Sequence, residues 1–212
     1  MTKFIIGIDE VGRGPLAGPI TVTALALPTK YRQRFKDSKK LSHRQRASWL
    51  KWIDQADDIF YATASVYPGT IDRINITKAA NLAATRALSR LLANGNWQIA
   101  NDATRKTKKI KVWLDGGLYL NTAWLKTTHT LHASTIVRGD EKYNAIKLAS
   151  VVAKVKRDAL MARYHKKYPN YGLDNHKGYG TKQHLAAIRK CGPSKIHRLT
   201  FLKNCSRIIS KS

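Results

Sequence analysis

Acidic side chains that follow apolar runs are the residues of this sequence best suited to chemistry. Asp9 and Glu10 follow an isoleucine-rich run, and Asp115 and Asp140 each follow a later apolar run that is bounded by glycine. A carboxylate at the end of a buried strand needs a compensating charge or donor, or it takes up a proton. A divalent cation such as Mg²⁺ or Mn²⁺ is one such compensation, because it accepts oxygen ligands. If these strands end at one edge of a sheet, their carboxylates would form a metal site.

The pair Asp9–Glu10 also has a simpler interpretation, which is a strand end whose acids reach water. Neighbouring residues of a strand point to opposite faces. Both carboxylates can then share a metal only if the strand ends or twists there, and Gly12 and Gly14 would permit such a bend. The pair alone leaves both interpretations open.

Positive charge dominates the rest of the chain. Its 212 residues include 39 Lys and Arg but only 13 Asp and Glu, a formal net charge of +26, and the hydrophobic content of 43% is enough for a packed core. The charge favours a nucleic-acid partner. A solubility surface or an anionic membrane are alternatives, but no amphipathic basic helix or lipidation motif supports the membrane. Clustered carboxylates in so basic a protein indicate metal ions facing a phosphodiester.

The sequence predicts neither a membrane span nor a signal peptide. No apolar run approaches the roughly 18 residues needed to cross a bilayer, and Asp9 and Glu10 interrupt the first apolar run. Cys191 and Cys205 lack the Cys-x-x-Cys spacing, so free thiols in a reducing compartment are expected. We therefore expect a cytoplasmic protein.

Apolar periodicity predicts a mixture of strands and helices. The expected strands cover residues 4–8, 20–27, 59–67, 110–115 and 133–137, and the expected helices cover residues 79–93, 142–164 and 181–190, with one more helix after Ser42. The first two strands are expected to be antiparallel, and residues 101–109 to form an exposed loop. No repeat or linker divides the chain. We expect one α/β domain over residues 1–212, with a sheet-and-helix core to about 165 and a helical C-terminal part over about 166–212.

Residues 7–19 carry a long and specific motif, Gly-Ile-Asp-Glu-Val-Gly-Arg-Gly-Pro-Leu-Ala-Gly-Pro. This string resembles the signature of the type 2 ribonucleases H (ribonuclease HII) and departs from it only at Val11, where the family has alanine. The Val-Trp-Leu-Asp-Gly-Gly block around Asp115 and the Ala-Ser-Val-Val-Ala-Lys-Val-Lys-Arg-Asp block at residues 149–158 are similar to the family as well. The resemblance implies a ribonuclease H-like five-stranded mixed sheet flanked by helices, and the expected element order fits it.

The resemblance also implies which residues hold the metals. The family's four catalytic, metal-binding acids carry over to Asp9, Glu10, Asp115 and Asp140, with Mg²⁺ or Mn²⁺ as the cofactor and two ions during catalysis. Asp158 competes for the fourth place, but it stands among basic residues of a helix pattern, where an ion pair on the helix face is the preferred interpretation.

Three other titratable residues receive no catalytic assignment. Glu141 adjoins Asp140, and a solvated helix N-terminus is its preferred interpretation. His176 and His184 could transfer protons. A lone histidine is more often a hydrogen-bonding or surface residue, so neither is assigned to catalysis.

Substrate contacts follow from the resemblance in the same way. Gly12, Arg13 and Gly14 would read the 2′-hydroxyl of a ribonucleotide, Tyr179 would stack on the sugar beyond it, and Lys39 would contact a phosphate. By residue type alone, the glycine-rich turn offers amides and one guanidinium that can approach a nucleic-acid backbone closely. Without the motif, Tyr179 would be an ordinary loop aromatic and Lys39 part of a charged loop.

The activity implied by the resemblance is endoribonucleolytic. Such an enzyme would cleave the RNA strand of RNA–DNA hybrids and incise duplex DNA 5′ to embedded ribonucleotides, leaving 3′-hydroxyl and 5′-phosphate ends, as a monomer serving replication and repair. Ribonuclease HIII is the enzymatic alternative, but it has an additional N-terminal domain, whereas the catalytic strand starts here at residue 4. A non-catalytic hybrid-binding protein would be expected to lack a catalytic acid, and a generic basic DNA-binding protein would need none of the four.

Overall fold

The computed structural model describes residues 4–31, 35, 40–94, 97, 109–125, 127 and 130–203. The strands are β1 (Phe4–Val11), β2 (Ile20–Pro28), β3 (Phe60–Val66), β4 (Lys109–Asp115) and β5 (Thr130–Ile136). The helices are α1 (His43–Gln55), α2 (Pro68–Ile74), α3 (Ile76–Leu92), α4 (Gly139–Lys142), α5 (Asn144–Lys167), α6 (Leu173–His176) and α7 (Lys182–Cys191). Within this described part of the chain, no helix combines the length and the apolar character needed to cross a membrane.

All five strands form one sheet in the order β3-β2-β1-β4-β5. The pairs β1–β2 and β2–β3 are antiparallel, and the pairs β1–β4 and β4–β5 are parallel. The predicted fold class, a five-stranded mixed sheet with flanking helices, is thereby confirmed. Because β1 and β4 run in the same direction, with Ile8 paired to Leu114, the acids that follow on the two strands meet at one edge of the sheet.

Helices cover both faces of the sheet. Alanines and leucines of α3 pack with Ile6 and Ile8 on one face, and Leu148 and Val152 of α5 pack near Leu25 on the other. The start of α5 lies directly over β1 at Gly7, where a Cβ atom would come within 2.2 Å of the Ala145 carbonyl carbon. A larger residue at this position would push α5 away, so this glycine sets the height of α5 above the acids of β1.

The C-terminal part begins with the 3₁₀ turn Pro169–Tyr171 and continues through α6 and α7. Its apolar residues pack against Leu16 and Ala17 of the glycine-rich turn and against Met161 of α5. The backbone of Ala17 also pairs with His197 in an isolated bridge. This part of the chain therefore supports the turn that follows β1.

Several local predictions hold, and others differ for identifiable reasons. Ser42 and Thr181 cap α1 and α7 as expected. The strand predicted over residues 59–67 ends before Pro68, and Pro68 also opens α2, because proline is well tolerated in the first turn of a helix. Asn75 caps α3 three residues earlier than periodicity indicated. The helix predicted over residues 142–164 is present as α5, Asn144–Lys167, and the short α4 that carries Asp140 precedes it across Tyr143, which has extended backbone angles.

Part of the predicted pattern lies outside the described residues. This applies to positions 101–108 of the expected loop and to Lys39 and Cys205. Cys191 is a free, exposed cysteine, as expected.

Candidate active site

Three carboxylates meet at the ends of β1 and β4. Ligand oxygens of Asp9, Glu10 and Asp115 lie within 4.8 Å of one another. The sequence argument required β1 to end or twist at the Asp-Glu pair, but β1 continues beside β2 to Val11. Its pairing with β4 does stop at Ile8, so both acids lie beyond the last pair with β4. Two adjacent side chains of one strand therefore reach the same space.

Asp140 reaches this cleft from α4, the single helical turn that follows β5. Its side chain is only 2% exposed and lines the same cleft of about 340 Å³ as the other three acids. The backbone N–H of Gly139 donates to Asp115 Oδ1 at 2.7 Å, and that of Asp140 lies 3.4 Å from the same oxygen. Arg138 adopts left-handed backbone angles just before this turn. Asp115 thus fixes the position of the helix that carries Asp140.

Asp158 does not join these acids. Its Oδ1 lies 2.8 Å from the Lys154 ammonium, one turn earlier on α5. This is the ion pair on a helix face that the sequence favoured for it.

The electrostatics of the cleft show an excess of negative charge. Burial, and then the neighbouring charge of Glu10, raises the pKa of Asp9 well above its usual range, although a hydrogen bond from Ser150 opposes this. Burial also raises the pKa of Glu10, against the effect of the Arg13 guanidinium. Glu10 Oε2 is buried and has no hydrogen-bond partner among the described residues. A divalent cation among these oxygens would restore the charge balance and give this oxygen a partner, so the site fits such an ion.

Arg13 spans the cleft from the glycine-rich turn. Its Nε donates to Glu10 Oε1 at 2.6 Å, and one terminal nitrogen donates to the Gly117 carbonyl at 2.9 Å. Gly12 has φ +94°, which favours glycine, and a Cβ atom there would lie 2.4 Å from Arg157 Nε. The turn is therefore narrow because buried side chains lie directly behind it.

Two of these buried side chains, Arg157 and Arg198, were not predicted to have any role at the site. Both are 0% exposed. Arg198 donates to the carbonyls of Gly12, Arg13 and Gly18 at 2.6, 2.8 and 3.0 Å. Arg157 donates to three further carbonyls, of Pro19, Ala17 and Lys177, at 3.0–3.2 Å. An arginine among the apolar positions of the α5 pattern was the one sequence signal available for this.

Tyr179 lines the same cleft as the acids. Its ring lines the cleft and is 43% exposed, and a Cβ atom on Gly14 would lie 3.9 Å from its Cε1. The loop that holds it is tied to the glycine-rich turn, because the Gly178 carbonyl accepts from Leu16 N at 2.8 Å. Neither His176 nor His184 is among the residues that line the cleft. Within the loop, the His176 carbonyl accepts from Tyr179 N, and the Tyr179 carbonyl accepts from Thr181 N and lies 2.9 Å from His184 Nδ1.

Comparison with known proteins decides the family. The family model for Ribonuclease HII matches residues 6–205. The chain belongs to the ribonuclease HII family. It is 38% identical over 200 residues to the ribonuclease HII of Chlamydia caviae, which covers 94% of this chain and 84% of that protein. Membership makes the protein an endoribonuclease of the ribonuclease H type, a hydrolase that acts on nucleic acid.

Solved structures share the fold of this ribonuclease HII. The ribonuclease H2 of Pyrococcus horikoshii OT3 matches with a TM-score of 0.70 and 24% identity, over 99% of this chain and 100% of that one. The Bst ribonuclease HIII in complex with Mn²⁺ matches with a TM-score of 0.68 and 16% identity, over 99% of this chain and 71% of that one. At these identities the likeness concerns the fold.

The ribonuclease HII cleft also contains polar residues to which the sequence assigned no role. Ser150, Lys154 and Arg46 line it together with the acids. Ser150 bonds Asp9, and Lys154 lines the cleft while it pairs with Asp158. The Ala-Ser-x-x-x-Lys part of the family block at residues 149–154 was the available signal for the first two.

Proposed function

We propose that this ribonuclease HII cleaves the RNA strand of RNA–DNA hybrids and incises duplex DNA 5′ to single embedded ribonucleotides. The products would carry 3′-hydroxyl and 5′-phosphate ends. One observation carries the proposal: the acids, the turn Gly12-Arg13-Gly14 and Tyr179 line a single cleft. The turn and Tyr179, which would recognise one ribose, and the acids, which would hydrolyse the adjacent phosphodiester, would then act on the same nucleotide.

The catalytic role in this proposal belongs to Asp9, Glu10, Asp115 and Asp140. Together they would hold Mg²⁺ or Mn²⁺, and the Mn²⁺ complex of the structurally similar Bst ribonuclease HIII supports this choice of ions. Two such ions would stabilise charge on the attacking and leaving oxygens of the phosphodiester. Arg13 holds Glu10 in place from the side of the turn, and Ser150 holds Asp9 from α5.

Recognition of the 2′-hydroxyl is assigned to the glycine-rich turn. The carbonyls of Gly12 and Arg13 point to the buried Arg198. The described peptide bonds are all trans, and a trans peptide directs its N–H opposite to its C=O. The N–H groups of Arg13 and Gly14 therefore point away from Arg198 and towards the cleft side of the turn. Two such donors can bind a 2′-hydroxyl oxygen, which DNA lacks.

Tyr179 would supply the second part of the recognition. Its partly exposed ring stands next to Gly14, beside the turn proposed to read the hydroxyl. A flat ring there favours a deoxyribose over a bulkier ribose. Lys39 remains the proposed phosphate contact of the polar loop. The monomeric state, the cytoplasmic location, the role in replication and repair and the single domain over residues 1–212 remain predictions.

A cleavage assay tests the proposal directly. A duplex with one embedded ribonucleotide is incubated with the protein, with and without Mg²⁺ or Mn²⁺, and the cut is mapped beside an all-DNA duplex of the same sequence. We expect one cut, 5′ to the ribonucleotide, only when the metal is present. Equal cutting of the all-DNA duplex, or a cut elsewhere, would contradict the proposal.

A further inference from the structure

A chain of hydrogen bonds links the C-terminal segment to the loop of Tyr179. The backbone N–H of Ser194 donates to His197 Nδ1 at 2.9 Å, the Nε2 atoms of His197 and His184 lie 3.1 Å apart, and His184 Nδ1 lies 2.9 Å from the Tyr179 carbonyl. Both imidazoles are buried. None of these three contacts is part of the cleft chemistry described above.

The two ends of this chain determine where each proton must be. His197 Nδ1 accepts from a backbone N–H, so in the neutral ring the proton is on Nε2. That proton is donated to His184 Nε2, which leaves the proton of His184 on Nδ1. The Tyr179 carbonyl can only accept, and His184 Nδ1–H donates to it. Each bond therefore has one donor and one acceptor only when both rings are neutral.

The surroundings keep the pair neutral. The His176 ring stacks on His184 at 4.4 Å, and Tyr171 lies 4.8 Å from His197. His176 has a fixed tautomer as well, because Nδ1 accepts from Gly178 N and Nε2 donates to the Tyr171 carbonyl. The cation nearest to His197 in sequence is Arg198. In the part of the chain that the structure describes, no carboxylate bonds to the ring of His184 or His197. Burial lowers the pKa of each of these two rings to about 4.

We infer that His197 and His184 are positioning residues for Tyr179, forming a neutral hydrogen-bond relay that fixes its backbone beside the cleft. This inference rests on the proposed role of Tyr179 at the ribonucleotide junction. A proton added to His184 would place two donors against each other between the rings. A proton added to His197 Nδ1 would break the bond from Ser194 N and turn the ring nitrogen into a donor to Ser194 Oγ, 3.0 Å away, so the relay with its bond from the Ser194 amide exists only in the neutral form. The C-terminal segment would thereby determine how the enzyme selects single ribonucleotides.

Two substitutions at His184 separate positioning from packing. Asn places an amide N–H where Nδ1 stands, so His184→Asn keeps the donor to the Tyr179 carbonyl and loses the bond to His197. Gln places its amide where Nε2 stands, so His184→Gln keeps the bond to His197 and loses the donor to Tyr179. We expect kcat/KM on a single embedded ribonucleotide to fall roughly three- to tenfold in His184→Gln and less than about twofold in His184→Asn. Equal losses, or the reverse order, would overturn the positioning role.

A double-mutant cycle tests whether the effect passes through Tyr179. In a Tyr179→Ala background we expect His184→Gln to cause no further loss, because the ring that it positions is gone. The same loss in both backgrounds would show that His184 acts otherwise and would overturn the inference. Thermal unfolding of each variant establishes that it is folded at the assay temperature.

Ring ¹⁵N NMR of the wild-type protein tests the relay without any activity. We expect His184 as the Nδ1–H tautomer and His197 as the Nε2–H tautomer at pH 7, with neither protonated until the pH falls well below 6. Other tautomers, or ordinary titration near pH 6.5, would refute the relay itself. If Tyr179→Ala is fully active on every substrate while the NMR result stands, the proposed role of Tyr179 in substrate selection is wrong. The hydrogen-bond relay would then exist, but it would not position a substrate-binding residue.

Discussion

At the scale of single residues, the cleft contains buried carboxylates whose mutual repulsion is unfavourable unless a cation binds between them. Asp9 is 4% exposed and lies beside Glu10 and Asp115. The raised pKa of Asp9 records this repulsion together with burial. Sites arranged in this way hold a functional group at the expense of stability.

Removal of single carboxylates tests the assigned site. Asp9→Asn, Glu10→Gln, Asp115→Asn and Asp140→Asn should each lower the cleavage rate by at least about a hundredfold, because each would remove a proposed metal ligand. Without metal these variants should be folded, and Asp9→Asn should melt at or above the wild-type temperature because repulsion is relieved. Cleavage rates with Mn²⁺ and melting curves without it provide the measurements. Asp158→Asn is the matched control and should keep most activity; an inactive control beside an active Asp140→Asn would move the fourth ligand to Asp158.

Loss of the Tyr179 ring should affect one substrate more than the other. Stacking on a nucleotide is worth roughly 1–3 kcal/mol, so Tyr179→Ala should lower kcat/KM on a single embedded ribonucleotide by one to two orders of magnitude. A long RNA–DNA hybrid offers many registers and other contacts, so its loss should be much smaller. The measurement is kcat/KM on both substrates. An equal loss would make Tyr179 a general binding contact, and Tyr67, which is also exposed, provides the control variant Tyr67→Ala.

At the scale of elements, the glycine-rich turn after β1 is held by two arginines from distant parts of the chain. Arg157 comes from α5, and Arg198 comes from the segment beyond α7. Burial lowers the pKa of Arg198 to about 9, which still leaves it charged at neutral pH. Five carbonyls of the turn and the Lys177 carbonyl therefore face these two guanidinium groups, whereas the amides of Ala17 and Gly18 donate to the carbonyls of Gly178 and Ile196.

Replacing the guanidinium of Arg198 should loosen the turn. An ammonium cannot reach three carbonyls at once, and each buried carbonyl left without a donor costs about 1–3 kcal/mol. Arg198→Lys should lower the melting temperature by on the order of 5–10 °C, and it should lower kcat/KM by roughly tenfold through the displaced turn. Arg90→Lys is the control, because Arg90 also donates to a carbonyl, that of Thr63, but is exposed. Similar effects of the two variants would refute a special role for Arg198.

The histidine pair behind Tyr179 should make the fold sensitive to acid. The pKa of each ring is lowered from 6.5 to about 4, so folding disfavours the protonated form. Above pH 6.5 the neutral rings make their full contribution to the free energy of unfolding. This contribution, on the order of 2 kcal/mol for one ring, is lost as the pH falls towards 4. Denaturant unfolding at pH 7, 6, 5 and 4.5 measures this. His184→Asn should flatten the curve, whereas replacing the exposed His132 by Asn should leave it unchanged; identical curves for all three proteins would contradict the assignment.

At the scale of the whole molecule, charge is divided between a small acidic cleft and a basic remainder. Only 13 acids oppose 39 basic residues, and four of those acids line the cleft. Such a distribution attracts a polyanion over the whole surface and keeps the carboxylates for metal ions. Affinity for nucleic acid would then come mainly from the basic remainder, and phosphodiester hydrolysis from the acidic cleft.

Substrate binding should therefore weaken steeply with salt. For a site that neutralises about four to six phosphates, a slope of about −0.9 per phosphate gives an overall slope of roughly −4 to −5 in log K against log salt. The Asp140→Asn variant with a ribonucleotide-containing duplex allows binding to be measured without cleavage. A slope near zero would show that the basic surface does not follow the nucleic-acid backbone.

From the sequence, apolar runs predicted the strands and an α/β domain, because such runs are local patterns. The resemblance carried by the string at residues 7–19 and by the two later blocks implied the five-stranded mixed sheet and the four proposed metal-binding acids. The tertiary structure decided what holds those residues in place. Arg157 and Arg198 bond carbonyls 138 and 186 positions away, and His184 meets His197 across the end of α7. No local spacing encodes such partners, since a buried arginine or histidine can be satisfied by any acceptor that the fold brings near. The physical reason is that sequence period records which face of an element is buried, while the hydrogen-bond partner depends on what the finished fold places against that face.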